Sequence, residues 1–278
     1  MKDALIVSIL SVIPRKRSAR TMGWLARTRL SRAMMRLFVR AYGVDLDEAQ
    51  GSLADYPTLE ALFTRPLKEG CRVVEDAPEV LVSPVDGRCA AVGRSREGVL
   101  ELVHRRHLDL ASLLDEDLVE DRDVIVLYLS PKDYHRVHVP REGVVTRYSY
   151  LPGTLWPVFP AALRRVKNLF SRNERVSVHF ETDRGPLDVV LVGAFGVGRI
   201  SLVLTDLLTN TGQGRQHVEV DPPHQLERGG ELGAFHLGST VVIATAPGRW
   251  RWTVRPGDPV RMGRPIGVAV AALEDHGA

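Results

Sequence analysis

Residues 233–242 read GAFHLGSTVV, a stretch that joins a Gly-Ser pair to the start of an apolar run. Residues 240–244 are rich in Val and Ile, which predicts a β-strand. Gly238 lets the backbone take conformations that a side chain would forbid, so the Ser239 hydroxyl can reach back to the Gly238 carbonyl. Because a lone Gly-Ser pair is more often a turn than a scissile bond, the stretch needs support from elsewhere in the chain.

Other short apolar runs outward from this stretch also have strand character, with Gly and Pro turns between them. The predicted strands cover residues 99–103, 124–129, 144–148, 176–180, 188–192, 240–244 and 266–270. PTLEALF, residues 57–63, predicts a short helix with Pro57 at its first position. The pattern therefore predicts an α+β protein with a mainly antiparallel β body and few helices.

Composition bounds the class of protein. A chain of 278 residues with 44% hydrophobic residues can bury a full core. Cys71 and Cys89 form no CxxC pattern and no Cys/His cluster. They argue against a disulfide scaffold or a zinc ribbon, and both are interpreted as small apolar residues in a reducing compartment.

Charge is distributed unevenly along the chain. Residues 1–40 carry a net charge of +9, whereas the whole chain carries +3, which leaves −6 for the rest. A basic arm on an acidic body predicts a polyanionic partner, either an anionic membrane or a nucleic acid. On a helical wheel, the arginines of residues 29–40 fall within about 80° and the apolar residues of 30–41 within about 100°. This amphipathic pattern favours a membrane surface over nucleic acid, although packing of the apolar face on the protein's own body is the alternative.

Residues 4–13, ALIVSILSVI, form an apolar run closed by Pro14 and the cluster Arg15-Lys16-Arg17. Ten residues are too few to span a bilayer, which needs about 20. The charge follows the run and no A-x-A site appears, so we interpret the run as a shallow anchor rather than a signal peptide. We therefore expect residues 1–56 to be a helical membrane-associating region on the cytoplasmic side of the cell membrane, peripheral or monotopic, and residues 57–278 to be the catalytic β-rich domain.

Two further segments carry groups that can activate a serine. SPVDG, residues 83–87, supplies Asp86, and YLSPKDYHRVHVP, residues 128–140, supplies His135 and His138. A serine becomes a nucleophile when an imidazole accepts its proton and a carboxylate orients that imidazole. Taken alone, the second segment is also compatible with a structural role, or with a metal site made by Asp133, His135 and His138.

Together the three segments resemble the phosphatidylserine decarboxylases, membrane-associated pyruvoyl enzymes that make phosphatidylethanolamine. The resemblance extends in the family's order through YGVDLDEA (42–49), LFTRPLKEG (62–70), LPGTL (151–155) and NLFSRNERV (168–176). Residues 156–163, WPVFPAAL, depart from the family's usual, more polar pattern. The tail RPGDPVRMGRPIG, residues 255–267, resembles the paired turns of barrel-sandwich folds, so a β body of barrel-sandwich type is expected after the amphipathic N-terminal helices.

The resemblance implies a role for each matching residue. Ser239, with His138 as base oriented by Asp86, attacks the Gly238 carbonyl, and the chain cleaves itself into chains 1–238 and 239–278 that stay associated. Ser239 becomes a covalent pyruvoyl cofactor, so no metal is needed. The cofactor forms a Schiff base with phosphatidylserine and accepts the electrons released as CO2 leaves. His135 then donates the proton, and Asp133, two residues away on an extended segment, tunes its imidazole.

The remaining expectations concern partners and alternatives. Arg65 and Arg175 are candidates for the substrate phosphate, or for internal ion pairs. The partners implied are phosphatidylserine and an anionic membrane surface, a homodimer is allowed, and no nucleic acid is expected. The alternative functions are a metal-dependent membrane-surface hydrolase and a noncatalytic membrane-binding module in which LGST is only a turn.

Overall fold

A computed structural model describes residues 15–102, 106–117, 120–158, 162, 165–194, 199–236 and 239–270. The side chains of residues 15–20, 106 and 239 lie outside this description, as does the predicted anchor at 4–13.

Helices are short and lie mainly in the N-terminal part of the described chain. They are α1 (Arg15–Arg27), α2 (Arg32–Tyr42), α3 (Leu59–Phe63), α4 (Leu110–Leu114) and α5 (Leu169–Arg172), with 3₁₀ turns at Arg29–Ser31 and Leu53–Asp55. The predicted PTLEALF helix is confirmed, but its start is wrong. Thr58 is the N-cap, because its hydroxyl accepts a hydrogen bond from the Ala61 amide, so Pro57 precedes the helix.

Strands make up most of the ordered body. They are β1 (Val80–Val82), β2 (Gly87–Arg94), β3 (Val99–Leu102), β4 (Arg106–Asp109), β5 (Asp123–Leu129), β6 (Arg136–His138), β7 (Gly143–Leu151), β8 (Arg175–Thr182), β9 (Gly185–Gly193), β10 (Ile200–Leu202), β11 (Gln216–Leu226), β12 (Glu231–Phe235), β13 (Ser239–Thr245), β14 (Trp250–Trp252), β15 (Pro259–Val260) and β16 (Pro265–Ala269). Each predicted strand is present with a shift of up to three residues at its ends, and residue 103 lies outside the described part.

The main sheet has eight strands in the order β11-β7-β8-β9-β13-β5-β2-β15. Two three-stranded sheets, β1-β16-β14 and β10-β12-β6, and the β3-β4 pair complete the body. Every strand pair in these sheets is antiparallel, which confirms a mainly antiparallel β body with few helices. The finer expectation of a barrel-sandwich arrangement stays a prediction.

The centre of the main sheet is covered on both faces. Along β13, Val241 and Ile243 belong to one apolar cluster, whereas Val242 and Ala244 belong to the other. Since successive side chains of a strand point to opposite faces, a continuous apolar run is what a strand buried on both sides requires. This burial fixes the position of Ser239, the first residue of β13.

Large apolar side chains remain exposed on α1, α2 and the turn between them. Their exposed fractions reach 74% at Leu30, 68% at Leu37 and 61% at Trp24. On the opposite side of α2, Met35 is buried against Tyr56 and Leu62. Within the residues that the structure describes, no helix is long and apolar enough to cross a membrane.

Cys71 and Cys89 are both free, but Cys71 is only partly buried, so the interpretation as a buried small apolar residue holds for Cys89 alone. Cys89 is buried, and its burial raises the pKa of the thiol to about 11. The thiol therefore stays protonated at neutral pH and acts as a small apolar group.

Candidate active site

The three segments singled out in the sequence meet at one edge of the main sheet. β2 begins at Gly87, β5 ends at Leu129, and β13 begins at Ser239. Because these neighbouring strands are antiparallel, the start of β2, the end of β5 and the start of β13 lie side by side. Ser239 pairs with Leu129 on one side and with Gly193 of β9 on the other. The fold thus brings together segments that are far apart in the sequence.

Gly87 allows the closest of these approaches. A Cβ atom at position 87 would lie 2.3 Å from the Tyr128 carbonyl oxygen, well inside van der Waals contact. Only glycine fits here without moving the backbone of β5. This contact places Asp86, the residue before it, next to the strand that leads into the histidine segment.

A second pairing places the histidine segment beside the chain that leads into Ser239. The amide of Phe235 donates a 2.9 Å hydrogen bond to the His135 carbonyl, and Ala234 of β12 pairs with Arg136 of β6. The main chain bearing both histidines therefore runs alongside the segment that carries the predicted cleavage site. Residues 237 and 238 and the Ser239 side chain lie outside the described part, so cleavage between Gly238 and Ser239 stays a prediction.

His138 is held by both ring nitrogens. Its Nδ1 donates to the Gly229 carbonyl at 2.8 Å, which leaves Nε2 to accept a 3.0 Å hydrogen bond from the Tyr134 hydroxyl. A carbonyl can only accept, so this pair of bonds selects the tautomer whose basic nitrogen is Nε2. Burial lowers the pKa of His138, although the Gly229 hydrogen bond opposes the shift. The ring is therefore neutral at physiological pH and able to accept a proton.

The prediction that Asp86 orients the His138 ring by a direct contact is wrong. Asp86 instead accepts hydrogen bonds from the Arg72 guanidinium, which contacts both carboxylate oxygens, and from the Met262 amide at 2.9 Å. The guanidinium fork matches a carboxylate and carries a full charge, so it outcompetes a neutral imidazole. The main chain still links the two segments, because the His138 amide donates to the Pro84 carbonyl at 2.9 Å.

His135 is fully buried, with its ring packed on Phe63 at a centroid distance of 4.0 Å. Its Nδ1 donates to the Asp133 carbonyl at 2.7 Å, while its Nε2 has no hydrogen-bond partner among the described residues. Burial lowers the pKa of His135 to about 3; the hydrogen bond to Asp133 opposes this shift, and the positive charge of Arg65 adds to it. The structure therefore contains a neutral imidazole with one unused basic nitrogen.

Asp133 acts on His135 in a different way from that predicted. The segment before Arg136 is a turn rather than an extended strand, and the Asp133 carboxylate is bound by the Ser130 amide and hydroxyl, both at 2.7 Å. A side-chain oxygen that caps its own turn in this way is typical of Asp in loops. Only the main-chain carbonyl of Asp133 reaches the imidazole, so tuning by its carboxylate through a direct contact is wrong.

A cleft of about 630 Å³ opens at this edge of the sheet. It is lined by six basic side chains, those of Arg65, Arg72, Arg88, Lys132, Arg261 and Arg264, and by four carboxylates, those of Asp45, Glu48, Asp86 and Asp133. Arg72 and Arg261 are paired with Glu48, and Arg72 also with Asp86. Arg65 is buried and donates to the Lys132 carbonyl at 3.1 Å, yet its Nε has no hydrogen-bond partner within the described chain. The cleft therefore has a small excess of positive charge next to the histidine segment.

Arg175, the other candidate for the substrate phosphate, has a structural role. Its guanidinium donates to the main-chain carbonyls of Ser112, Leu113, Ser171 and Asn173. Burial lowers its pKa to about 10, so it remains charged at neutral pH. The expected internal ion pair of Arg175 is wrong among the described residues, because the partners of its guanidinium are carbonyl oxygens rather than a carboxylate.

The sequence profile of the family described as phosphatidylserine decarboxylase matches residues 59–268. The chain belongs to the phosphatidylserine decarboxylase family. Proteins named phosphatidylserine decarboxylase proenzyme are similar to it over nearly their whole length. The protein of Anaeromyxobacter sp. (strain K) is 40% identical, with 97% of this chain and 100% of the relative covered. Those of Bordetella avium (strain 197N) and Myxococcus xanthus (strain DK1622) are 37% and 36% identical, with at least 96% of each chain covered.

The decarboxylase family fits the site better than the metal-dependent alternative. The described residues contain no group of three His, Cys, Asp or Glu side chains that could hold a metal ion. In particular, the Asp133 carboxylate is bound by Ser130, and His138 uses both ring nitrogens. The D-x-H-x-x-H spacing therefore does not assemble into a metal site in this part of the chain.

The sequence prediction misses three residues that bind the predicted site residues of this phosphatidylserine decarboxylase family member. They are Arg72, which binds Asp86, and Tyr134 and Gly229, which fix the His138 ring. Arg72 lies in CRVV, a stretch with no pattern of its own, and Gly229 acts through its carbonyl, which any residue has. Only Tyr134, four residues before His138, had a signal in its position beside the histidines.

Proposed function

We propose that this chain cleaves itself between Gly238 and Ser239 and then decarboxylates phosphatidylserine to phosphatidylethanolamine. As a member of its family, the chain is an enzyme of the carboxy-lyase class, and its relatives are named proenzymes. One observation carries the proposal, namely the meeting of Gly87, Leu129 and Ser239 in adjacent strands at the edge where both histidines lie.

In the self-cleavage step, His138 serves as the base for Ser239. Its Nε2 is the basic nitrogen, and Tyr134 holds that nitrogen until the serine hydroxyl takes its place. Attack of the Ser239 oxygen on the Gly238 carbonyl moves the chain from an amide to an ester. Loss of the Ser239 Cα proton then breaks the Cβ–O bond, which frees chain 1–238 with a Gly238 carboxylate and leaves a dehydroalanine that water hydrolyses to the pyruvoyl group with release of ammonia. Asp86 lies close enough to raise the proton affinity of His138 through its charge, although Arg72 binds it directly. Asp86 thus stabilises the imidazolium at a distance.

The residues present fit a pyruvoyl group formed from Ser239. The support is the buried Nε2 of His135, an orphaned polar atom of the kind that usually has a partner in a folded protein. When formed, the group supplies an electron sink for the loss of CO2. His135 takes up at Nε2 a proton that the substrate ammonium group loses and returns it to the substrate carbon after CO2 has left, while Phe63 and the surrounding burial exclude water from the ring.

The basic cleft holds the anionic headgroup of the substrate. Arg65 supplies an unused N–H beside His135, and Lys132 and Arg264 add positive charge on the same cleft. A phosphate or carboxylate oxygen satisfies the Arg65 donor and offsets the burial of its charge. This assigns Arg65, and not Arg175, to substrate binding.

The N-terminal region, residues 1–56, places this cleft at the membrane. Met34 and Leu37 of α2 and Leu30 of the preceding 3₁₀ turn are exposed, as are Arg29 of that turn and Arg36 and Arg40 of α2. Apolar side chains that insert among acyl chains and arginines that bind lipid phosphates are typical of interfacial helices. We therefore place the enzyme on the cytoplasmic surface of the cell membrane as a peripheral or monotopic protein, with residues 57–278 as its catalytic domain. A homodimer stays a prediction.

The proposed function is tested by the intact mass of the purified protein and of the Ser239→Ala variant. The wild-type chain should give two chains, 1–238 and 239–278, and should release CO2 from phosphatidylserine vesicles. Ser239→Ala should give one chain near the full 30.8 kDa and no CO2, because both the attacking oxygen and the pyruvoyl precursor are gone. Cleavage of the variant at the same bond would refute the mechanism, and a wild-type chain that stays whole would favour the noncatalytic module.

A further inference from the structure

The ring of His236, which lies just before the predicted cleavage bond, contacts two side chains, and a third side chain contacts one of these two. Its Nε2 accepts a 3.1 Å hydrogen bond from the Ser201 hydroxyl, and its Nδ1 lies 3.2 Å from Oε1 of Glu60. The same carboxylate oxygen lies 3.2 Å from Nη1 of Arg199. The ring N–H does not point at Glu60 with hydrogen-bond geometry, so this contact is electrostatic rather than directional. We call Glu60, Arg199 and Ser201 the His236 clamp.

The main chain reinforces the clamp. The His236 amide donates to the Arg199 carbonyl at 2.9 Å, and the preceding amide of Phe235 donates to the His135 carbonyl at the same distance. The side chains of Glu60, Arg199 and His236 are 17%, 13% and 20% exposed, so the contacts are largely shielded from solvent. Shielded charges interact more strongly than surface pairs, which contribute little.

The charges around the clamp favour its closed arrangement. Burial alone raises the pKa of Glu60, but the contact with His236 and the positive charges of Arg199 and Arg27 outweigh it and lower the pKa overall. Glu60 is therefore ionised at neutral pH and attracts both of its partners. Glu60 also lies on α3, which packs against α1 and α2, so the clamp connects the N-terminal helices to the segment that is cut.

The chain on the other side of the scissile bond is fixed as well. Ser239 and Thr240 begin β13, where each pairs with β5 on one side and with β9 on the other. Only Leu237 and Gly238 separate His236 from this strand. Because His236 and Ser239 are both fixed, the two residues between them have few conformations to choose from. This restriction lowers the entropy that is lost when the serine attacks the scissile bond.

We propose that the His236 clamp is a positioning device for self-cleavage, which holds the Gly238 carbonyl within reach of the Ser239 hydroxyl. The inference rests on the proposed function, since it needs the cleavage between these residues to occur. It adds Glu60, Arg199, Ser201 and His236 to the residues on which maturation depends. They act through the position of the scissile segment and have no contact with the substrate.

The test is a double-mutant cycle on the full-length chain made by cell-free synthesis. The conversion of the full chain to chain 1–238 is followed with time by gel and intact mass for His236→Ala, Glu60→Ala and the double variant. Each single variant should slow maturation by about tenfold, the factor that corresponds to about 1.4 kcal/mol in an activation barrier. The double variant should be no slower than the single variants, because both changes remove the same contact.

His217 provides a matched control. Its Nδ1 shares a 2.9 Å hydrogen bond with the Ser149 hydroxyl, and its Nε2 lies 3.2 Å from the carboxylate of Asp115. The same carboxylate forms an ion pair with Arg215. This arrangement has the same three kinds of partner but lies on β11, away from the scissile segment. His217→Ala should therefore mature at the wild-type rate.

Folding and turnover are measured separately. In the uncleavable Ser239→Ala background, thermal unfolding checks that His236→Ala and Glu60→Ala stay folded at the temperature of the maturation assay. With Ser239 intact, Glu60→Asp, which keeps the carboxylate charge, should mature faster than Glu60→Ala. The inference is overturned by single variants that mature at the wild-type rate, by additive effects in the double variant, or by a loss that appears only in turnover per mature site. A wild-type chain that never cleaves would instead overturn the proposed function.

Discussion

His135 and His138 each donate Nδ1–H to a main-chain carbonyl, those of Asp133 and Gly229 respectively. This shared device fixes the same tautomer in both rings and leaves Nε2 as the reacting nitrogen. The two rings differ in what Nε2 meets. The Nε2 of His138 is hydrogen-bonded to the Tyr134 hydroxyl. The Nε2 of His135 is buried and has no hydrogen-bond partner among the described residues. We therefore expect the Ser239 hydroxyl to replace Tyr134 at His138, and the substrate to reach His135 only after cleavage.

This difference predicts a division of labour. His138→Ala should leave the chain uncleaved, because Ser239 then lacks its base, and Asp86→Asn should slow cleavage by removing the charge that stabilises the imidazolium. His135→Ala should cleave normally yet lose at least 100-fold in turnover, in the range of a lost general acid or base. Intact mass reports the first step and CO2 release reports the second. An uncleaved His135→Ala chain would show that one histidine cannot be assigned to each stage.

The buried neutral His135 also predicts how stability depends on pH. Its pKa in the folded chain is about 3, below the ordinary value of 6.5, so between these values the unfolded chain binds more protons than the folded chain. Its contribution is fully present above pH 6.5 and is lost as the pH falls, by up to about 1.4 kcal/mol per pH unit. Urea unfolding of Ser239→Ala at pH 7 and pH 5 should show the loss. The slope should be smaller in Ser239→Ala/His135→Gln, and an equal slope would place the effect elsewhere, for example at His138.

At the scale of elements, the site depends on how closely β2 approaches β5. Gly87→Ala would put a Cβ atom 2.3 Å from the Tyr128 carbonyl oxygen, so the two strands must move apart. We expect the free energy of unfolding to fall by roughly 1–3 kcal/mol, as overpacking usually costs, and maturation to slow because Asp86 moves with Gly87. Urea unfolding in the Ser239→Ala background measures the first effect. Gly214→Ala is the control, since nothing lies within 4 Å of its Cβ, and an equal change in both variants would contradict the prediction.

The strands differ in how far the sequence predicts them. β5, β9 and β13 are continuous apolar runs buried on both faces, so composition alone identifies them. β11 is missed because DPPH interrupts its pattern; it lies at an open edge of the main sheet, where a register shift between Glu219 and His224 accommodates the prolines. The sequence predicts the site through its candidate reacting residues, such as Ser239 and His138. Its supporting contacts, such as Arg72 with Asp86, depend on tertiary geometry that no local pattern encodes.

At the scale of the whole molecule, the exposed apolar face of the N-terminal helices predicts membrane capture. Replacing Leu30 and Leu37 by Asp should weaken binding to anionic vesicles by about 30-fold, which corresponds to roughly 2 kcal/mol of lost apolar burial. Self-cleavage should continue, because both side chains project from the surface, 74% and 68% exposed. Co-sedimentation over a salt series measures binding. Val203→Asp, a change at an apolar residue of the β body that is 53% exposed, should bind normally, and equal loss in both would place the lipid contact on the body.

The central position of β13 has a consequence for the lifetime of the cleaved enzyme. The smaller chain would begin with this strand, which pairs along all seven of its residues with a neighbour on each side. It would continue through β15, at the edge of the same sheet, and through β14 and β16, which form a second sheet with β1. Its departure requires both ladders to open together, so dissociation amounts to unfolding. Since the peptide bond that linked the chains no longer exists, the chains could reunite only as two molecules finding each other at cellular dilution. We therefore expect the heat-inactivated, cleaved enzyme not to regain activity on cooling.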